Sequence, residues 1–501
     1  MKKYFFIPTG NQVWIDVAID LYKRGVAEPV LWIGDDIHYA KARNFFGQAV
    51  VSRQEFIFYP ERIRDIDYNG EYVDFFLSDN YLRAKDRCLK MMDRLDMYGT
   101  FGRLDREVIF NKLSMWALMK INANKPDAIV FAETPHSHTY YLLYEIFLYL
   151  DLEVVKFNSW PTIPLLFLQD MKTGDRYKKE IKIDSEVSKI IDKDILSYIN
   201  YLRNKKDGHE YELSYMKTQR QKTKLRSKAF NFLTSGLSAL IKEYWFQTRM
   251  YFSPFYYPIN PYKLGIFGRH KIKNLRKKSL LRSLKVSQDF VNLQCKYIYF
   301  SLHFEPERTT NPDGGVFHDQ LLAITRLRSL VPKDIKIIVK EHPSQFYMPE
   351  RGTRGRSPLF YECLKNISGV ELAAINMDSI DLIKNSIFTA TITGSTAFES
   401  SILGKQALVF GDAWFNGCPN ITLWDKDISF DKITGNKVAA PEEIIAYLTK
   451  EKKLYAVPGC LNPTYQKRVA KYLSDEFSKS EFKGVSHLLE IFFHKLNSSH
   501  K

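Results

Sequence analysis

The chain has 501 residues, more than a single hydrophobic core usually supports, so we expect at least two domains. Its 45% apolar and 26% charged residues are typical of a globular protein and exclude disorder as the default state. The formal net charge of +16 is compatible with nucleic acid, an anionic membrane surface or an acidic substrate, and charge alone does not choose among them.

The cysteines and the apolar segments indicate the compartment. The five cysteines include no CxxC pair, which argues against a disulfide framework and a structural zinc site and favours a reducing cytoplasm. The first apolar run stops at Pro8 with no cleavage site after it, so we interpret it as a strand and not as a signal peptide. No segment reaches the ~20 apolar residues that cross a bilayer. We therefore expect a cytoplasmic protein that is soluble or peripherally bound to a membrane.

The N-terminal part of the chain alternates short apolar runs with helical patterns. The predicted strands are residues 3–8, 30–34, 128–133 and 154–158, and the predicted helices are residues 12–24, 106–122 and 139–150. Residues 168–203 have a helical pattern that leads out of this part. The alternation predicts an N-terminal Rossmann-like domain, residues 1–200, with a parallel sheet and helical crossovers.

Residues 201–288 form a basic and aromatic segment. From Lys217 to Lys285 there are seventeen Lys or Arg residues and one acid, Glu243. Basic and aromatic residues together are typical of a surface that lies against anionic lipid headgroups. We interpret the segment as a helical insertion or linker that holds the protein at the inner face of the plasma membrane through residues 217–285. No pattern of a known nucleic-acid-binding module is present, so nucleic acid is not an expected partner.

A second alternating series begins at residue 296. The predicted strands are residues 296–302, 335–340, 370–373, 388–392 and 406–410, and the predicted helices are residues 318–329, 358–365, 378–384, 395–403 and 441–450. This series predicts a doubly wound sheet in residues 289–450, followed by C-terminal helices in residues 451–501. Such sheets bind ligands beyond the C-terminal ends of their strands, so the loops after these strands are where a site is expected.

A Gly-Ser-Thr turn, Gly394 to Thr396, follows one of these strands and opens a helix. The free N–H groups and positive dipole end of a helix suit a phosphate, Gly394 permits close backbone approach, and the two hydroxyls add donors. Glu399, one turn later, is placed to accept hydrogen bonds from ribose hydroxyls. The alternative is that Ser395 caps the helix and Glu399 completes a capping box.

Lys340, Glu341, His342 and Pro343 end another strand of the same predicted sheet. The proline keeps the histidine out of a helix, so its imidazole can donate a hydrogen bond to a phosphate oxygen in the crevice. A His-Pro pair alone is more often an ordinary loop. Together with the Gly-Ser-Thr turn two strands later, it indicates a nucleotide- and donor-binding site that includes Lys340, Glu341, His342 and Pro343.

The run KEHP, followed about fifty residues later by ITGSTAFESSILGKQALVFGD, resembles the C-terminal domain of GT-B glycosyltransferases of the bacterial capsule polysaccharide group. This group includes transferases that use CMP-activated acidic sugars such as Kdo or nonulosonic acids. The resemblance covers residues 296–446. It implies an α/β GT-B fold, in which two Rossmann-like domains enclose a central cleft, here with the basic helical insertion between them. It also implies that His342, Gly394, Ser395 and Thr396 contact the nucleotide.

The loop after the first strand of this domain carries further polar residues. GT-B enzymes commonly contact the donor from this loop, so the resemblance makes His303, Glu305, Glu307 and Arg308 donor-binding residues. The guanidinium of Arg308 would neutralise a phosphate or a sugar carboxylate. A solvated charged loop is the alternative for each of them.

Glu133 and His136 follow a strand of the N-terminal domain, where a base for the acceptor hydroxyl is expected. Sugar transfer needs a carboxylate or an imidazole to deprotonate that hydroxyl, so Glu133 is the predicted base and His136 the second choice. His136 and His138 have no evident third ligand, so no metal is expected.

Two turns of the N-terminal domain follow its first two strands. Thr9, Gly10 and Asn11 lie in the first turn and Asp35 in the second, and they line the acceptor side or are simple turns.

These features predict a glycosyltransferase that uses a nucleotide sugar, expected to be CMP-linked, and needs no other cofactor. Its acceptor is expected to be a surface polysaccharide or a lipid-linked glycan. A CDP-glycerol-type glycerophosphotransferase, a non-hydrolysing sugar-nucleotide epimerase, a nucleic-acid-binding module and a non-catalytic assembly scaffold are the alternatives.

Overall fold

The computed structural model describes residues 1–34, 37–52, 73–94, 102–160, 163–182, 184–204, 265–306, 309–347 and 349–498. The chain divides into two compact units. Unit 1 comprises Met1–Leu89, Arg103–Tyr198 and Ile445–Lys501, and unit 2 comprises Lys90–Gly102 and Ile199–Ile444.

Thirteen strands and eighteen helices are described. The strands are β1 (Lys2–Ile7), β2 (Ala27–Gly34), β3 (Val50–Ser52), β4 (Ala128–Phe131), β5 (Glu153–Ser159), β6 (Leu165–Asp170), β7 (Tyr297–Ser301), β8 (Lys336–Lys340), β9 (Val370–Leu372), β10 (Phe388–Thr391), β11 (Gln406–Val409), β12 (Ile421–Leu423) and β13 (Val457–Pro458). The helices are α1 (Gln12–Lys23), α2 (Tyr39–Phe46), α3 (Val73–Phe76), α4 (Asp79–Asp93), α5 (Arg103–Asn124), α6 (His138–Tyr149), α7 (Ser185–Arg203), α8 (Gly265–Ser287), α9 (Gln320–Leu330), α10 (Ser344–Tyr347), α11 (Pro349–Gly355), α12 (Pro358–Lys365), α13 (Ser379–Asn385), α14 (Thr396–Ile402), α15 (Phe430–Thr434), α16 (Pro441–Tyr455), α17 (Pro463–Arg468) and α18 (Asp475–Ser498).

The sheet of unit 1 has the strand order β3-β2-β1-β4-β5-β6-β13. Its first five strands in this order are parallel, whereas β6 runs antiparallel to β5, and β13 antiparallel to β6. β1 is central, and its residues from Tyr4 to Ile7 are all buried, as expected for a strand that helices cover on both faces. The sheet thus places the ends of β1 and β4 side by side.

The helical pattern predicted over residues 168–203 is wrong in its first part. Residues up to Asp170 belong to β6, which is buried throughout and pairs with β5. The chain then turns through Gly174, whose φ of +81° favours glycine, and α7 begins only at Ser185. A short, fully buried apolar run has no period of its own, so the sequence pattern could not distinguish strand from helix there.

The C-terminal stretch returns to the sheet of unit 1. Phe493 of α18 packs against Tyr4 of β1, with ring centroids 5.0 Å apart. A Cβ atom on Gly484 would lie 2.6 Å from Cβ of Val457, so glycine lets α18 approach β13 this closely. Val457 of β13 therefore lies in the same core as the N-terminal strands, and Leu461, which follows β13, packs against that core.

Glu481 of α18 is a buried carboxyl group in this region. Its Oε1 accepts the backbone N–H of Cys460 at 2.8 Å, and burial raises its pKa from 4.5 to about 7. The folded state therefore favours the protonated form. The free energy of unfolding should fall as pH rises from the unfolded pKa toward the folded one, by on the order of 3 kcal/mol.

We expect Glu481→Gln to remove this pH dependence, because an amide keeps the acceptor for Cys460 and never ionises. The melting temperature of the variant should exceed that of the wild type at pH 8 and match it near pH 4.5. Thermal unfolding across this range measures the difference. A constant difference at all pH values would contradict the assignment to Glu481.

The sheet of unit 2 is parallel throughout, in the order β12-β11-β10-β7-β8-β9. Numbered within the unit, this is the 3-2-1-4-5-6 order of a Rossmann sheet, which reverses between β7 and β10. The same reversal lies between β1 and β4 in unit 1. Each sheet therefore has a switch point where loops diverge and a ligand can enter.

The predicted α/β class with two Rossmann-like domains is confirmed. The central cleft and the four-part domain division stay predictions. Of the basic segment, residues 205–264 lie outside the described residues, residues 201–203 end α7, and residues 265–287 form α8. Among the described residues, no helix is both long and apolar enough to cross a membrane.

Candidate functional site

The loops after β7 and β10 meet at the switch point of unit 2. Nε2 of His303 accepts the backbone N–H of Thr393 at 3.1 Å and lies 3.2 Å from Oγ1 of Thr391. Because an amide N–H can only donate, the neutral imidazole carries its proton on Nδ1. A Cβ atom on Gly394 would lie 2.7 Å from Oγ1 of Thr391, so glycine is needed for the turn to pack this closely.

His342, after β8, has the opposite tautomer. Its Nδ1 accepts the backbone N–H of Ser344 at 3.2 Å, which leaves the proton of the neutral ring on Nε2. Its ring centroid lies 6.4 Å from that of Phe304, the residue after His303. The two histidine loops are thus neighbours, and Nε2 of His342 is a hydrogen-bond donor.

Both imidazoles are neutral at physiological pH. Burial, with a smaller contribution from the positive charge of Arg356, lowers the pKa of His303 to about 3. Burial, and then the neighbouring His303, Lys340 and Arg356, lowers the pKa of His342 to about 3. Each ring therefore acts as a fixed dipole and not as a titrating charge.

Glu341 forms a buried ion pair beneath these loops. Its Oε2 accepts Nε of Arg356 and the hydroxyl of Tyr361, each at 2.8 Å, and its Oε1 accepts the N–H of His342 at 2.8 Å. Arg356 also donates to the carbonyl oxygen of His303 at 2.8 Å. Both charged side chains are essentially unexposed. The ion pair therefore connects the His303 loop to the His342 loop. The carboxylate of Glu341 is used in this connection.

A second set of buried contacts holds the chain around Glu305. Its Oε1 accepts Nε2 of Gln320 and the hydroxyl of Thr310, both at 2.9 Å. Gln345 accepts the N–H of Glu305 at 2.9 Å and donates to its carbonyl oxygen at 2.8 Å. A Cβ on Gly355 would lie 2.1 Å from the carbonyl carbon of Glu305. Glu305 is therefore part of the frame of the loop.

Lys340 brings a positive charge to the switch point. Only 9% of the residue is exposed, and burial lowers its pKa, although the carboxylates of Asp378 and Glu399 act in the opposite direction. Within the described part of the chain, its ammonium group has no hydrogen-bond partner. A buried cation beside a neutral N–H donor is an arrangement that suits an anion.

The capping box predicted as an alternative at the Gly-Ser-Thr turn is not observed. Ser395 lies at the cap position, but its hydroxyl makes no bond to the backbone of α14 and instead donates to Oε1 of Glu399 at 3.1 Å. The hydroxyl of Thr396 donates to Oγ of Ser301 at 3.3 Å, which links the turn to the end of β7. Ser395 is exposed and Glu399 is half-buried at the same edge of the sheet.

Glu133 and His136 lie together at the switch point of unit 1. Oε1 of Glu133 is 3.5 Å from Nε2 of His136, while Oε2 accepts Nδ2 of Asn462 at 2.9 Å. Nδ1 of His136 lies 2.8 Å from the carbonyl oxygen of Thr134, which can only accept, so Nδ1 carries a proton. Without a proton on Nε2 as well, the lone pair of Nε2 would face the carboxylate and repel it. The contact is attractive only when a second proton lies between these two groups. A carboxylate beside an imidazole is an arrangement that can accept a proton.

Thr9 and Asn11 contact the C-terminal stretch. The hydroxyl of Thr9 donates to the carbonyl oxygen of Leu461 at 2.5 Å, and Nδ2 of Asn11 donates to that of Cys460 at 2.7 Å. The carbonyl oxygen of Gly10 accepts Nε2 of His38 at 3.0 Å. Both polar side chains are buried, so they hold the chain that carries Asn462.

Three of the predicted site residues, Asp35, Glu307 and Arg308, lie outside the described residues, and their roles stay predictions. In the described part of the chain, no group of three or more His, Cys, Asp or Glu residues could hold a metal ion. That the reaction needs no metal also stays a prediction.

The sequence did not indicate four residues that build these sites. Arg356, Gln345 and Gln320 form the buried contacts of unit 2, and Asn462 contacts Glu133 in unit 1. The one available signal was the Gly-rich run RGTRGR, residues 351–356, which permits close backbone approach.

No protein-family model matches the chain, and no curated protein matches it. Among solved structures, it is similar to KpsC from Thermosulfurimonas dismutans, a beta Kdo 2,7 transferase, at 17% identity over 36% of this chain and 55% of that one, with a TM-score of 0.22. It is similar to the UDP-GlcNAc 2-epimerase from Neisseria meningitidis bound to UDP-GlcNAc at 12% identity, over 98% of this chain and 100% of that one, with a TM-score of 0.20. The UDP-GlcNAc 2-epimerase from Methanocaldococcus jannaschii matches at 10% identity over 94% and 98%, with a TM-score of 0.22. The chain thus spans about half the length of the KpsC structure and nearly all of both epimerases.

Proposed function

We propose that the protein is a glycosyltransferase that moves an acidic sugar, such as Kdo or a nonulosonic acid, from a CMP-linked donor to a surface polysaccharide or a lipid-linked glycan. The observation that carries the proposal is the pair of neutral imidazoles, His303 and His342, beside the buried Lys340 at the switch point of unit 2. Rossmann sheets bind nucleotides at this position.

The donor phosphate would bind to Nε2–H of His342 and to the ammonium group of Lys340. Both are oriented before the ligand arrives, since Ser344 fixes the histidine tautomer and burial confines the lysine. Preorganised donors of this kind stabilise the negative charge that develops on a departing phosphate. The ribose hydroxyls would donate to Glu399, which Ser395 already holds.

The acceptor hydroxyl would lose its proton to Glu133 of unit 1. The carboxylate has His136 on one oxygen and Asn462 on the other, so its lone pairs have fixed directions. His136 would share the proton once it has been taken. Proton transfer to such a group contributes about 10²- to 10⁴-fold to the rate of many enzymes.

Nucleotide binding tests the donor half of this proposal. We expect CMP to raise the melting temperature more than UDP or GDP does, and His342→Phe to abolish the shift, since phenylalanine has no donor. His342→Gln keeps an N–H near the position of Nε2 and should retain part of it. His494→Ala, on the exposed side of α18, is the control and should behave as the wild type.

The same screen separates the alternatives. Stabilisation by CDP-glycerol above CMP would favour a glycerophosphotransferase, and conversion of UDP-GlcNAc without an acceptor would reveal an epimerase. No binding by any nucleotide would contradict the proposal and leave the non-catalytic scaffold. Salt-dependent binding of RNA would favour the nucleic-acid alternative.

The proposed partner of residues 217–285 is the anionic inner face of the plasma membrane. In its described part, α8 exposes Lys278, Arg282 and Lys285 together with the apolar Leu275 and Val286, and the helix contains no acid. These positions recur every three or four residues, so they lie along one side of the helix. Cosedimentation with anionic vesicles but not with neutral ones is expected, and equal binding to both would contradict this part of the proposal.

A further inference from the structure

We infer that Asn462 is a positioning residue for Glu133, which holds the carboxylate in the orientation that accepts the proton of the acceptor hydroxyl; this inference rests on the proposed function. Nδ2 of Asn462 donates to Oε2 of Glu133 at 2.9 Å, across 329 positions of sequence. The amide thus occupies one carboxylate oxygen and leaves the other to face His136.

The amide of Asn462 has one possible orientation. Its Oδ1 accepts the backbone N–H of Tyr465 at 3.0 Å, which is the N-cap contact of α17. Since Oδ1 serves the cap, Nδ2 is the end that faces Glu133, and the assignment of oxygen and nitrogen follows from the contacts on both sides. One side chain therefore links the start of α17 to the carboxylate.

The backbone that carries Asn462 is held on several sides. Asn11 and Thr9 bind the carbonyl oxygens of the two preceding residues. The hydroxyl of Tyr465, three residues later, donates to the carbonyl oxygen of Ile163 at 2.7 Å. A Cβ on Gly459 would lie 2.5 Å from Cδ1 of Leu166, so this stretch also packs closely against β6. Because these contacts hold the backbone of Asn462 in place, its side chain can fix the direction of the Glu133 carboxylate.

The neutral amide also sets the charge around Glu133. Asn462 presents a donor to Oε2 of Glu133 and brings no charge of its own. An aspartate at position 462 would keep the cap of α17, because Asp is as good an N-cap as Asn. It would replace the donor to Glu133 by a second carboxylate, which favours protonation of the pair.

The variants Asn462→Asp and Asn462→Ser test the inference in the full-length protein. Serine also caps a helix but is too short to reach Glu133, so it removes the contact and keeps the fold. Asn122→Asp is the control for charge, because Asn122 is exposed on α5, near the opposite edge of the sheet. The readout is the titration of His136 by NMR of ¹³C-labelled histidine, with its signal identified by its loss in His136→Gln.

We expect Asn462→Asp to raise the titration midpoint of His136 by about one pH unit or more, because a second carboxylate stabilises the shared proton. Asn122→Asp should leave the midpoint unchanged. Asn462→Ser should lower kcat with CMP-Kdo about tenfold and leave KM unchanged, since it disturbs the base and not donor binding. An unchanged midpoint in Asn462→Asp, with wild-type thermal stability, would overturn the inference.

The titration does not depend on turnover, so the two failures can be told apart. If the wild type binds no nucleotide but the midpoint still rises in Asn462→Asp, the proposed function fails while the coupling of Asn462 to Glu133 stands. If nucleotide binds and CMP-Kdo is turned over but neither variant differs from the wild type, the positioning role fails alone.

Discussion

Glutamine in place of Glu133 is expected to lower the turnover number by about 10²- to 10⁴-fold. The amide keeps the size of the side chain and can still accept Nδ2–H of Asn462, but it cannot take a proton. KM for the donor and the CMP-induced rise in melting temperature should stay at wild-type values, because the change lies in unit 1 and the proposed nucleotide site in unit 2. Steady-state kinetics with the donor found in the nucleotide screen measures this.

Glu186→Gln is the matched control, since Glu186 is exposed on α7 of the same unit. A separate assay with EDTA tests for a metal requirement, and we expect wild-type turnover to be the same with and without it. Full activity in Glu133→Gln would remove Glu133 as the base and pass the role to His136. A loss of nucleotide binding in Glu133→Gln would instead mean that the carboxylate serves the donor.

The sequence predicted the sheet of unit 2 well because each strand and helix there is short and clearly bounded. The helix of residues 358–365 has its predicted bounds, since Ser357 caps it and Pro358 follows as a residue that suits a helix start. β10 and the Gly-Ser-Thr turn after it are also at their predicted positions. Local patterns therefore placed His342 and the turn on loops at the same edge of one sheet.

The contacts that hold those loops could not be predicted, because they join residues that are distant in sequence. The sequence suggested Glu341 as a donor-binding residue, and only the fold places Arg356 and Tyr361 on its carboxylate. The tautomer of each histidine likewise depends on a backbone N–H that a neighbouring loop supplies. Pattern and spacing contain no information on such partners.

The same reason applies to Asn462. The residue lies in a stretch that the sequence assigned to C-terminal helices, and nothing in its local pattern connects it to Glu133. β13 is a two-residue strand, too short for any periodic signal, yet it pairs with β6 and brings the chain back to unit 1. The sequence therefore did not indicate the part of the site that forms only when the C-terminal stretch folds back onto the sheet of unit 1.

The largest expected change in stability follows from Arg356→Met. Methionine fills much of the same volume but leaves the carboxylate of Glu341 buried with only Tyr361 and the N–H of His342 as donors. Breaking a buried ion pair from one side costs about 3–5 kcal/mol, because the remaining charge loses its partner. Hydrogen exchange of the β7 and β8 amides measures the opening free energy of unit 2 without interference from unit 1.

The double variant Arg356→Met with Glu341→Gln separates the lost contact from the stranded charge. The oxygen of an amide at 341 can accept the N–H of His342, and its NH2 can donate to the hydroxyl of Tyr361. Because the amide carries no charge, we expect the double variant to recover at least half of the loss, by about 2 kcal/mol or more. Two buried uncharged side chains then replace the pair, although the carbonyl oxygen of His303 has lost its bond from Arg356 and keeps only the longer one from Gln320. A double variant no more stable than Arg356→Met would show that the contact of Arg356 with the His303 loop, and not the charge of Glu341, accounts for the cost.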